Sequence, residues 1–508
     1  MFSSIHSMTL FGMHVQRVEV EADLADGGLP VFEMVGFLSG EVKESKERIR
    51  TALKNSGYFL PPKRITVNLS PANMKKSGSS FDLAVAISLL SSMGLIVPEE
   101  LSDTVVSGEL SLSGDLHPVN GILPMVMEAK KSGFRRFVLP MANAREGGAV
   151  EGIEVIGVHN LKEVISYLNG SIKIAPTVLS VDEILKNAHD YPHDFSEIVG
   201  QLPLRRGMEV AVAGMHNIML IGPPGSGKSM AAKCMPSILP PLSKEECLEI
   251  TEIYSVAGLL GDTGLVTERP FMSPHHTVSP QALSGGGHVP KPGAVSLSHR
   301  GVLFLDELPE FSRRALEILR QPMEDKEIHI SRTQGNYSFP ANCLLAAAMN
   351  PCPCGYYPDR NRCRCSESEI HNYLNRISGP LLDRIDICVP VSEIPFQELS
   401  QSTPAYNEAS ASIRARVSEA AEIQKKRYRG SSIHFNSDLG VKELSIYCSL
   451  GLKESRLLEQ AFSSLHLSAR AYHRVLKCAR TIADLDHKDK ISYDHLSEAI
   501  GYQNGFRK

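Results

Sequence analysis

Long hydrophobic runs are absent from this sequence. The most apolar helix candidate, residues 83–97, contains three serines and is shorter than the roughly 20 residues that a membrane span needs. Residues 1–24 also lack the basic start and apolar centre of a signal peptide. We therefore expect a soluble, cytoplasmic protein without a membrane partner.

A strong net charge is also absent, and no cysteine precedes Cys234. The formal net charge is −4 over 508 residues, so any site for a polyanion must be a local basic patch. Four of the ten cysteines lie within residues 352–365, and clustered cysteines in an intracellular protein suggest a metal site rather than disulfides. The remaining composition, 42% hydrophobic and 22% charged, is that of an ordinary soluble protein, long enough for several domains of about 100–200 residues each.

The most specific motif in the chain is a glycine-rich loop of the form G-x-x-x-x-G-K-[ST]. It follows a short apolar run at residues 217–221, which predicts a buried strand, and it precedes good helix formers. A strand, a glycine loop and a helix together direct backbone N–H groups and a helix N-terminus at an anion. We predict that this loop binds ATP, with Lys228 at the β- and γ-phosphates and Ser229 on Mg²⁺. The loop consists of Gly222, Pro223, Pro224, Gly225, Ser226, Gly227, Lys228 and Ser229.

Two adjacent carboxylates follow a second apolar run. Residues 302–305 indicate a central parallel strand buried on both faces, and Asp306 and Glu307 come directly after it. The carboxyl ends of such strands are where an open α/β sheet binds its ligand. We expect Asp306 to orient Mg²⁺ and its waters, and Glu307 to position and deprotonate the attacking water. The spacing of 78 residues from Lys228 (306 − 228) is usual for such a pair of motifs.

These motifs occur in the order found in AAA+ ATPases, and further segments resemble that superfamily. Residues 195–201 resemble the segment that opens many AAA+ modules and packs near the adenine. Asn350 follows the apolar residues 344–348, where AAA+ proteins keep a polar residue that binds the γ-phosphate or the attacking water. Residues 468–474 resemble the segment with the second sensor arginine, which implies that Arg470 touches the nucleotide.

Residues 377–386 resemble the AAA+ segment with the arginine finger, which reaches the nucleotide of the neighbouring subunit and stabilises charge on the transferred phosphate. The resemblance implies that Arg384 is the finger, with Arg376 as the second candidate. For both arginines the alternative is a salt bridge to Asp383 or Asp386. A finger makes the nucleotide site complete only at a subunit interface, so it also implies a ring.

Two loops of the same region are candidates for contact with DNA. Residues 284–291 combine three glycines with Lys291 and predict a projecting loop, which faces the central pore in AAA+ proteins related to magnesium chelatase and the MCM helicases. Residues 327–339 predict a hairpin with a glycine at its turn, and helicase-like members line the pore with such a hairpin. Arg332 near the tip would contact a nucleic-acid backbone, and an arginine that is simply solvated is an equally weighted alternative.

The clustered cysteines form two C-x-C pairs separated by eight residues. Four thiolates are enough for a closed tetrahedral Zn²⁺ site, although C-x-C is tighter than the usual C-x₂₋₄-C spacing. We predict a structural zinc that pins this loop, with four free thiols as the alternative. The predicted ligands are Cys352, Cys354, Cys363 and Cys365.

Residues 1–170 alternate strand and helix signals and predict an α/β domain with its own core. Residues 107–110 and 114–123 resemble the proteolytic domain of Lon protease, a ribosomal S5 domain 2-like fold. Ser80 lies near the place of that family's nucleophilic serine, but Leu123 stands at the position of its lysine. A Ser–Lys dyad needs the lysine as its base, so we expect this domain to lack peptidase chemistry. The nearby Lys75 and Lys76 are expected to be solvated.

We divide the chain into a Lon-like domain (1–170), a linker (171–192), an AAA+ core (193–395) and a C-terminal helical lid (396–508). Over nearly all 508 residues this order resembles the Mg-chelatase-like AAA+ ATPases of the YifB type. The resemblance implies a Mg²⁺-dependent hexameric ring ATPase. It also implies action on single-stranded, duplex or branched DNA as a branch-migration helicase, together with recombination proteins, during natural transformation.

Two other functional classes stay open from the sequence. One is a metal-chelatase motor subunit that acts with partner proteins, and the chain has no acidic metal domain of its own. The other is a protein-remodelling ATPase or ATP-dependent protease, which would need an aromatic pore loop and a working dyad.

Overall fold

The computed structural model describes residues 2–26, 29–97, 101–187, 191–287, 289–332, 335–394 and 407–503. The fold is α/β, with a mixed sheet at the N-terminus, a parallel sheet in the middle and a helical C-terminal region. The predicted boundary between core and lid, at residues 395 and 396, lies outside the described residues. Within the described residues, no helix combines the length and hydrophobicity that a membrane crossing requires.

The N-terminal region contains a seven-stranded sheet in the order β3-β4-β2-β1-β5-β8-β9. Strand β2 pairs antiparallel with β1 and β4, and its alternating sequence buries Val18, Val20 and Ala22. The strands are β1 (Phe2–Phe11), β2 (His14–Ala25), β3 (Val31–Val35), β4 (Arg64–Ser70), β5 (Thr104–Val106), β6 (Glu109–Leu110), β7 (Leu116–His117), β8 (Arg136–Pro140) and β9 (Glu154–Val158).

Helices cover both faces of this sheet, and α2 is buried along its whole length, as its apolar sequence requires. The helix α3 packs on the helix Lys244–Ala257 of the next region, so the two regions share a hydrophobic cluster that includes Cys247 and Ile250. The helices of this part are α1 (Gly40–Asn55), α2 (Asp82–Ser92), α3 (Ile122–Lys131), α4 (Ala144–Gly147), α5 (Leu161–Leu168) and α6 (Val181–Asn187).

The expectation that Lys76 is solvated is wrong. A backbone bridge to Leu38 draws this segment into the domain, and the side chain of Lys76 is fully buried. Its ammonium group donates to the carbonyl oxygen of Pro71. Burial lowers the pKa of Lys76, while Lys75 is only half-buried.

The middle region is built on a five-stranded parallel sheet in the order β11-β14-β17-β10-β18. The apolar runs of β10, β14 and β17 occupy its centre, where both faces are covered. Two short hairpins, β12–β13 and β15–β16, lie outside this sheet. The strands are β10 (Ile218–Ile221), β11 (Phe271–Met272), β12 (Gly285–Gly286), β13 (Lys291–Pro292), β14 (Val302–Leu305), β15 (Glu327–Arg332), β16 (Gly335–Pro340), β17 (Leu344–Met349) and β18 (Ile387–Pro390).

The helices of the middle region surround the sheet. Ser243 begins α9 with a capping box, because its hydroxyl accepts from the backbone N–H of Glu246 and the Glu246 carboxylate accepts in return. The helices are α7 (Leu202–Gly214), α8 (Lys228–Ile238), α9 (Lys244–Ala257), α10 (Pro280–Ser284), α11 (Ala294–Leu297), α12 (Arg313–Ile318), α13 (Arg320–Asp325), α14 (Glu367–Leu374) and α15 (Gly379–Leu382).

The C-terminal region is helical, as expected. Its central helix α19 packs on α7, α16 and α20. The buried carboxylate of Asp484 on α19 binds Arg427 and Arg480, so part of the basic run at residues 425–429 is used internally. The helices are α16 (Ser410–Arg427), α17 (Val441–Tyr447), α18 (Leu452–Ser464), α19 (Ala469–Leu485) and α20 (Tyr493–Gly501).

A methyl group at position 301 should destabilise the central sheet. A Cβ on Gly301, the residue before β14, would collide with the carbonyl oxygen of Pro270 at the end of the neighbouring segment. That oxygen accepts the N–H of Val302 at 2.8 Å, so it cannot move away without loss of the pairing. We expect Gly301→Ala to cost about 1–3 kcal/mol, seen as a lower thermal unfolding midpoint. Gly261→Ala, in open space, is the control, and equal midpoints for the two variants would contradict this packing.

Candidate nucleotide-binding site

The glycine-rich loop connects β10 to α8 at the carboxyl edge of the parallel sheet. Gly225 and Gly227 have φ values of +75° and +84°, which residues with a Cβ rarely adopt. Lys228 is the first residue of α8, so the unpaired N–H groups at the start of this helix point toward the loop. This is the geometry that binds a phosphate group.

The ammonium group of Lys228 lies within the loop and contacts Asn350. Its Nζ donates to the carbonyl oxygens of Gly222 and Pro223, both at 2.8 Å, and to Oδ1 of Asn350 at 3.2 Å. Burial lowers the pKa of Lys228, and the nearby carboxylate of Asp306 offsets part of that shift. A phosphate here would favour the charged ammonium group and replace part of this internal hydrogen bonding.

The two residues predicted to bind Mg²⁺ are in direct contact. The hydroxyl of Ser229 donates to Oδ2 of Asp306 at 2.5 Å, at the end of β14. A hydroxyl and a carboxylate supply the hard oxygen ligands that Mg²⁺ prefers, so this pair fits the ion. The structure thus brings together Lys228, Ser229, Asp306 and Asn350 from three neighbouring strands.

Glu307 lies beside this group in a left-handed conformation, with φ +50°. Its carboxylate is paired with Nδ1 of His276 at 3.4 Å. The sequence did not predict this contact, because His276 belongs to a distant loop whose histidines fit no metal-site spacing. An ionisable partner on Glu307 can orient the carboxylate that we expect to activate water.

The four predicted zinc ligands form one cluster. Their sulfur atoms all lie within 4.8 Å of one another, and three of the Sγ–Sγ distances are 3.4, 3.6 and 3.8 Å. Four thiolates at about 2.3 Å from a tetrahedral zinc would be about 3.8 Å apart. The geometry of Cys352, Cys354, Cys363 and Cys365 therefore fits such an ion.

The cysteine loop packs directly on the phosphate-binding loop. Gly355 has φ +88°, and a Cβ at this position would collide with the ring of Pro224. Arg362 of the same loop donates to both carboxylate oxygens of Glu393 at 2.8 and 2.7 Å, just after β18. The cysteine loop thus contacts both the phosphate-binding loop and the segment that follows β18.

Arg384 lies at the opposite, amino-terminal end of the parallel strands. Asn217, the residue before β10, donates from its side chain to the carbonyl oxygen of Arg384 at 2.9 Å, whereas the phosphate-binding loop follows β10. Four residues of strand separate the two ends by about 13 Å. The structure therefore does not bring Arg384 to the phosphate-binding loop of its own chain.

Arg384 and Arg470 lie together, with Glu324 between them. Arg384 donates to the Glu324 carboxylate and to the carbonyl oxygen of Pro380 at 2.5 Å. Arg470 lies 3.9 Å from Glu324 and 3.8 Å from Asp383. Asp383 and Asp386 were the alternative partners expected for Arg384, and the structure gives Glu324 instead. The sequence did not predict this partner because it lies 60 residues away in the chain.

The second finger candidate, Arg376, is elsewhere. It donates to both carboxylate oxygens of Glu310 at 2.8 and 2.9 Å, three residues after Glu307. Its contact is with the segment that follows β14 in the same chain. It does not join the pair formed by Arg384 and Arg470.

The two residues predicted to contact DNA come from adjacent hairpins. Lys291 in β13 pairs with Gly286 in β12, and a Cβ on Gly286 would lie 3.5 Å from the guanidinium of Arg332. Lys291 and Arg332 are both exposed. Thr333 and Gln334, part of the predicted turn, lie outside the described residues.

The serine segment of the Lon-like region has other partners. Ser79 donates to the carboxylate of Glu109, and the backbone carbonyl of Ser80 accepts from Gly108 at 2.9 Å. Leu123 is buried, and its N–H donates to Glu146 at 2.8 Å. The position of the missing lysine is therefore part of the hydrophobic core.

Comparison with known proteins gives matches over the whole chain. Three family models match: magnesium chelatase subunit ChlI at residues 194–399, subunit ChlI of Mg-chelatase at residues 20–143, and the ChlI C-terminal model at residues 407–503. The archaeal Lon protease of Methanocaldococcus jannaschii is 33% identical over 103 residues, which cover 20% of this chain and 16% of that protein. The Lon likeness is thus partial.

Two relatives match along nearly their full length. The uncharacterized protein YifB of Escherichia coli K12 is 40% identical over 503 residues, covering 99% of this chain and 97% of the relative. The competence protein ComM of Haemophilus influenzae is 40% identical over 500 residues, covering 98% and 97%. The chain therefore belongs to the family of Mg-chelatase-like AAA+ ATPases that includes YifB and ComM.

Proposed function

We propose that this protein is a Mg²⁺-dependent ATPase that works as a ring and moves on DNA as a branch-migration helicase. The observation that carries this proposal is the separation of two half-sites. Lys228, Ser229, Asp306 and Asn350 lie at one edge of the sheet, and Arg384 with Arg470 lies at the other. Each half is complete only when a second copy supplies the other.

Within one chain, the residues at the phosphate-binding loop divide the work of hydrolysis. Lys228 would bind the β- and γ-phosphates, and Asn350, already its partner, would hold the γ-phosphate or the attacking water. Glu307 would take the proton of that water, with His276 as its neighbour. Mg²⁺ on Ser229 and Asp306 would neutralise charge on the phosphate oxygens.

Arg384 and Arg470 would act on the nucleotide of the adjacent subunit. Both side chains are at the edge away from their own phosphate-binding loop, and Arg470 is 57% exposed. A guanidinium supplied from outside stabilises the charge that develops on the transferred phosphate. Ring closure with a heterologous contact would give every site one such pair, and six subunits is the number implied by the family resemblance.

Contact with DNA is supported by the adjacent hairpins. Lys291 and Arg332 are exposed cations on two hairpins that touch each other. Cations at such a position neutralise backbone phosphates independently of sequence, as a translocating motor requires. The name of the Haemophilus influenzae relative, a competence protein, supports a role in uptake-linked recombination.

We also propose that the cysteine cluster holds a structural zinc ion. The four sulfur atoms would fill a tetrahedral shell and leave no position for substrate. The ion would therefore stabilise the loop that packs on Pro224 rather than take part in hydrolysis.

ATP hydrolysis should require Mg²⁺ and increase on addition of DNA, most of all branched DNA. Steady-state turnover, alone and with single-stranded, duplex and branched DNA, measures this. Lys228→Ala should lower the turnover rate by at least about 100-fold, because it removes the positive charge that stabilises the transferred phosphate. Arg332→Ala should reduce the ratio of stimulated to basal rate, and Arg313→Ala, another exposed arginine, should not.

An active ATPase that is indifferent to every DNA would refute the DNA motor. It would direct the search to a chelatase-type motor or a protein-remodelling ATPase, the first of which the ChlI family models support.

Mixing two inactive variants should restore ATPase activity if the site is shared between subunits. Arg384→Ala keeps its phosphate-binding loop and Lys228→Ala keeps its finger, so a ring of both contains some complete sites. Random mixing in equal amounts should give about a quarter of the wild-type rate, because each site needs both intact partners. Mixtures that stay as inactive as the separate variants would argue against a shared site.

The purified protein should contain about one zinc ion per chain, measured by elemental analysis. Cys363→Ser should lose the metal because three thiolates no longer close the shell. Cys343→Ser, outside the cluster, is the matched control and should keep it. Protein purified without chelator and free of zinc would mean that the four residues are thiols.

A further inference from the structure

Glu324 occupies the position between the two arginines that we assign to the neighbouring nucleotide. The side chain of Arg384 is 11% exposed and is oriented by Glu324 and Pro380, while Arg470 approaches the same carboxylate. All three side chains line one cleft of about 910 Å³. Anything that moves Glu324 therefore changes the partners of both arginines.

Glu324 also lies at the base of the hairpin that contains Arg332. It is the next-to-last residue of α13, and the linking residue Lys326 adopts a left-handed conformation before β15 begins at Glu327. The N–H of Lys326 donates to Pro322 at 3.0 Å, and its carbonyl accepts from Ala341 after β16 at 2.8 Å. These bonds join the last turn of α13 to both strands of the hairpin.

The described part of the hairpin packs in the same core as the helices that precede it. Its inward side chains are buried in the cluster that also contains residues of α12 and the α12–α13 junction. Close-packed cores shift between discrete arrangements rather than deform continuously. We therefore expect a displacement of the β15–β16 hairpin to move α13 as well. The buried side chains are Ile328, Ile330, Tyr337 and Phe339.

Arg384 and Arg470 belong to a part of the structure that is separate from the hairpin and α13. Arg474, one turn after Arg470 on α19, donates to the carbonyl oxygens of Leu382 and Ile385 at 2.9 and 2.6 Å. These two residues flank Arg384, so the segment of Arg384 and the helix of Arg470 are joined. Glu324 makes an ionic contact between this unit and the hairpin.

The guanidinium group of Arg384 can bind a second anion. Its Nε is buried and has no hydrogen-bond partner among the described residues. The triphosphate of an adjacent subunit has a higher negative charge than one carboxylate, so it can compete for this guanidinium. The Glu324 carboxylate must release Arg384 before the guanidinium can bind the triphosphate.

We propose that Glu324 is a positioning residue that restrains Arg384 and Arg470 until DNA displaces the β15–β16 hairpin. DNA at Arg332 would shift α13, weaken the Glu324 contacts and release both arginines to the neighbouring triphosphate. This inference rests on the proposed function, and it specifies how DNA at the hairpin regulates hydrolysis at the next subunit.

The test is Glu324→Gln in the full-length protein, compared with Asp325→Asn as a matched loss of one negative charge. Glu324→Gln should raise the DNA-independent kcat by about fivefold, the size of effect expected when one partly exposed ion pair is lost. The KM for ATP should not change, because the phosphate-binding loop is intact. Stimulation by DNA should fall by the same factor, and Asp325→Asn should match the wild type.

Two further variants separate restraint from a structural effect. Glu324→Asp keeps the charge and should keep most of the wild-type regulation. Arg384→Ala combined with Glu324→Gln should abolish the gain, because the residue acts through that arginine. Thermal unfolding midpoints should agree within about 2 °C, the shift expected from the loss of one partly exposed ion pair.

A basal rate that falls in Glu324→Gln would overturn the inference, because it would mean that Glu324 presents the arginines rather than restrains them. An unchanged basal rate would also overturn it. A wild-type protein that no DNA stimulates refutes the proposed function instead, and the comparison of basal rates still tests the restraint because it needs no DNA.

Discussion

The common direction of five strands is the constraint on which the proposed site depends. Because β10, β14 and β17 run parallel, the residues that follow them meet at the carboxyl ends of the strands, where Lys228 contacts Asn350 and Ser229 contacts Asp306. The same rule sends the residues before β10 and β18 to the other edge, where Asn217 holds the segment of Arg384. In the function proposed here, the length of a strand separates Arg384 from the phosphate-binding loop of its own chain, so a second copy would have to supply the arginine.

The cysteine loop extends this edge. It begins two residues after Asn350, packs on Pro224 through Gly355 and is tied to Glu393 by Arg362. Glycine is required at 355 both for its positive φ and for the lack of a side chain against the proline ring. A well-ordered cysteine cluster therefore stabilises the conformation of the phosphate-binding loop, which has few buried side chains of its own.

Local signals in the sequence predicted the strands, the phosphate-binding loop and the Asp306 position because each depends on neighbouring residues. The four cysteines were likewise found by spacing. Contacts across long sequence distances were missed: Glu324 with Arg384, His276 with Glu307, and the burial of Lys76. Nothing in the composition around these residues distinguishes them from solvated side chains, since only tertiary packing selects their partners.

The Lon-like domain contacts the hairpins through packed aromatic rings. The ring of Phe11, at the β1–β2 turn, stacks on Tyr337 of β16 at 4.3 Å between centroids, and a Cβ on Gly335 would lie 2.5 Å from that phenylalanine. Lys291 lines a cavity together with Ser79 and its partner Glu109. Leu123 is buried in the core below this surface. The packing of Phe11 on Tyr337 and against Gly335 gives this domain a structural role beside the hairpins that is independent of any peptidase chemistry.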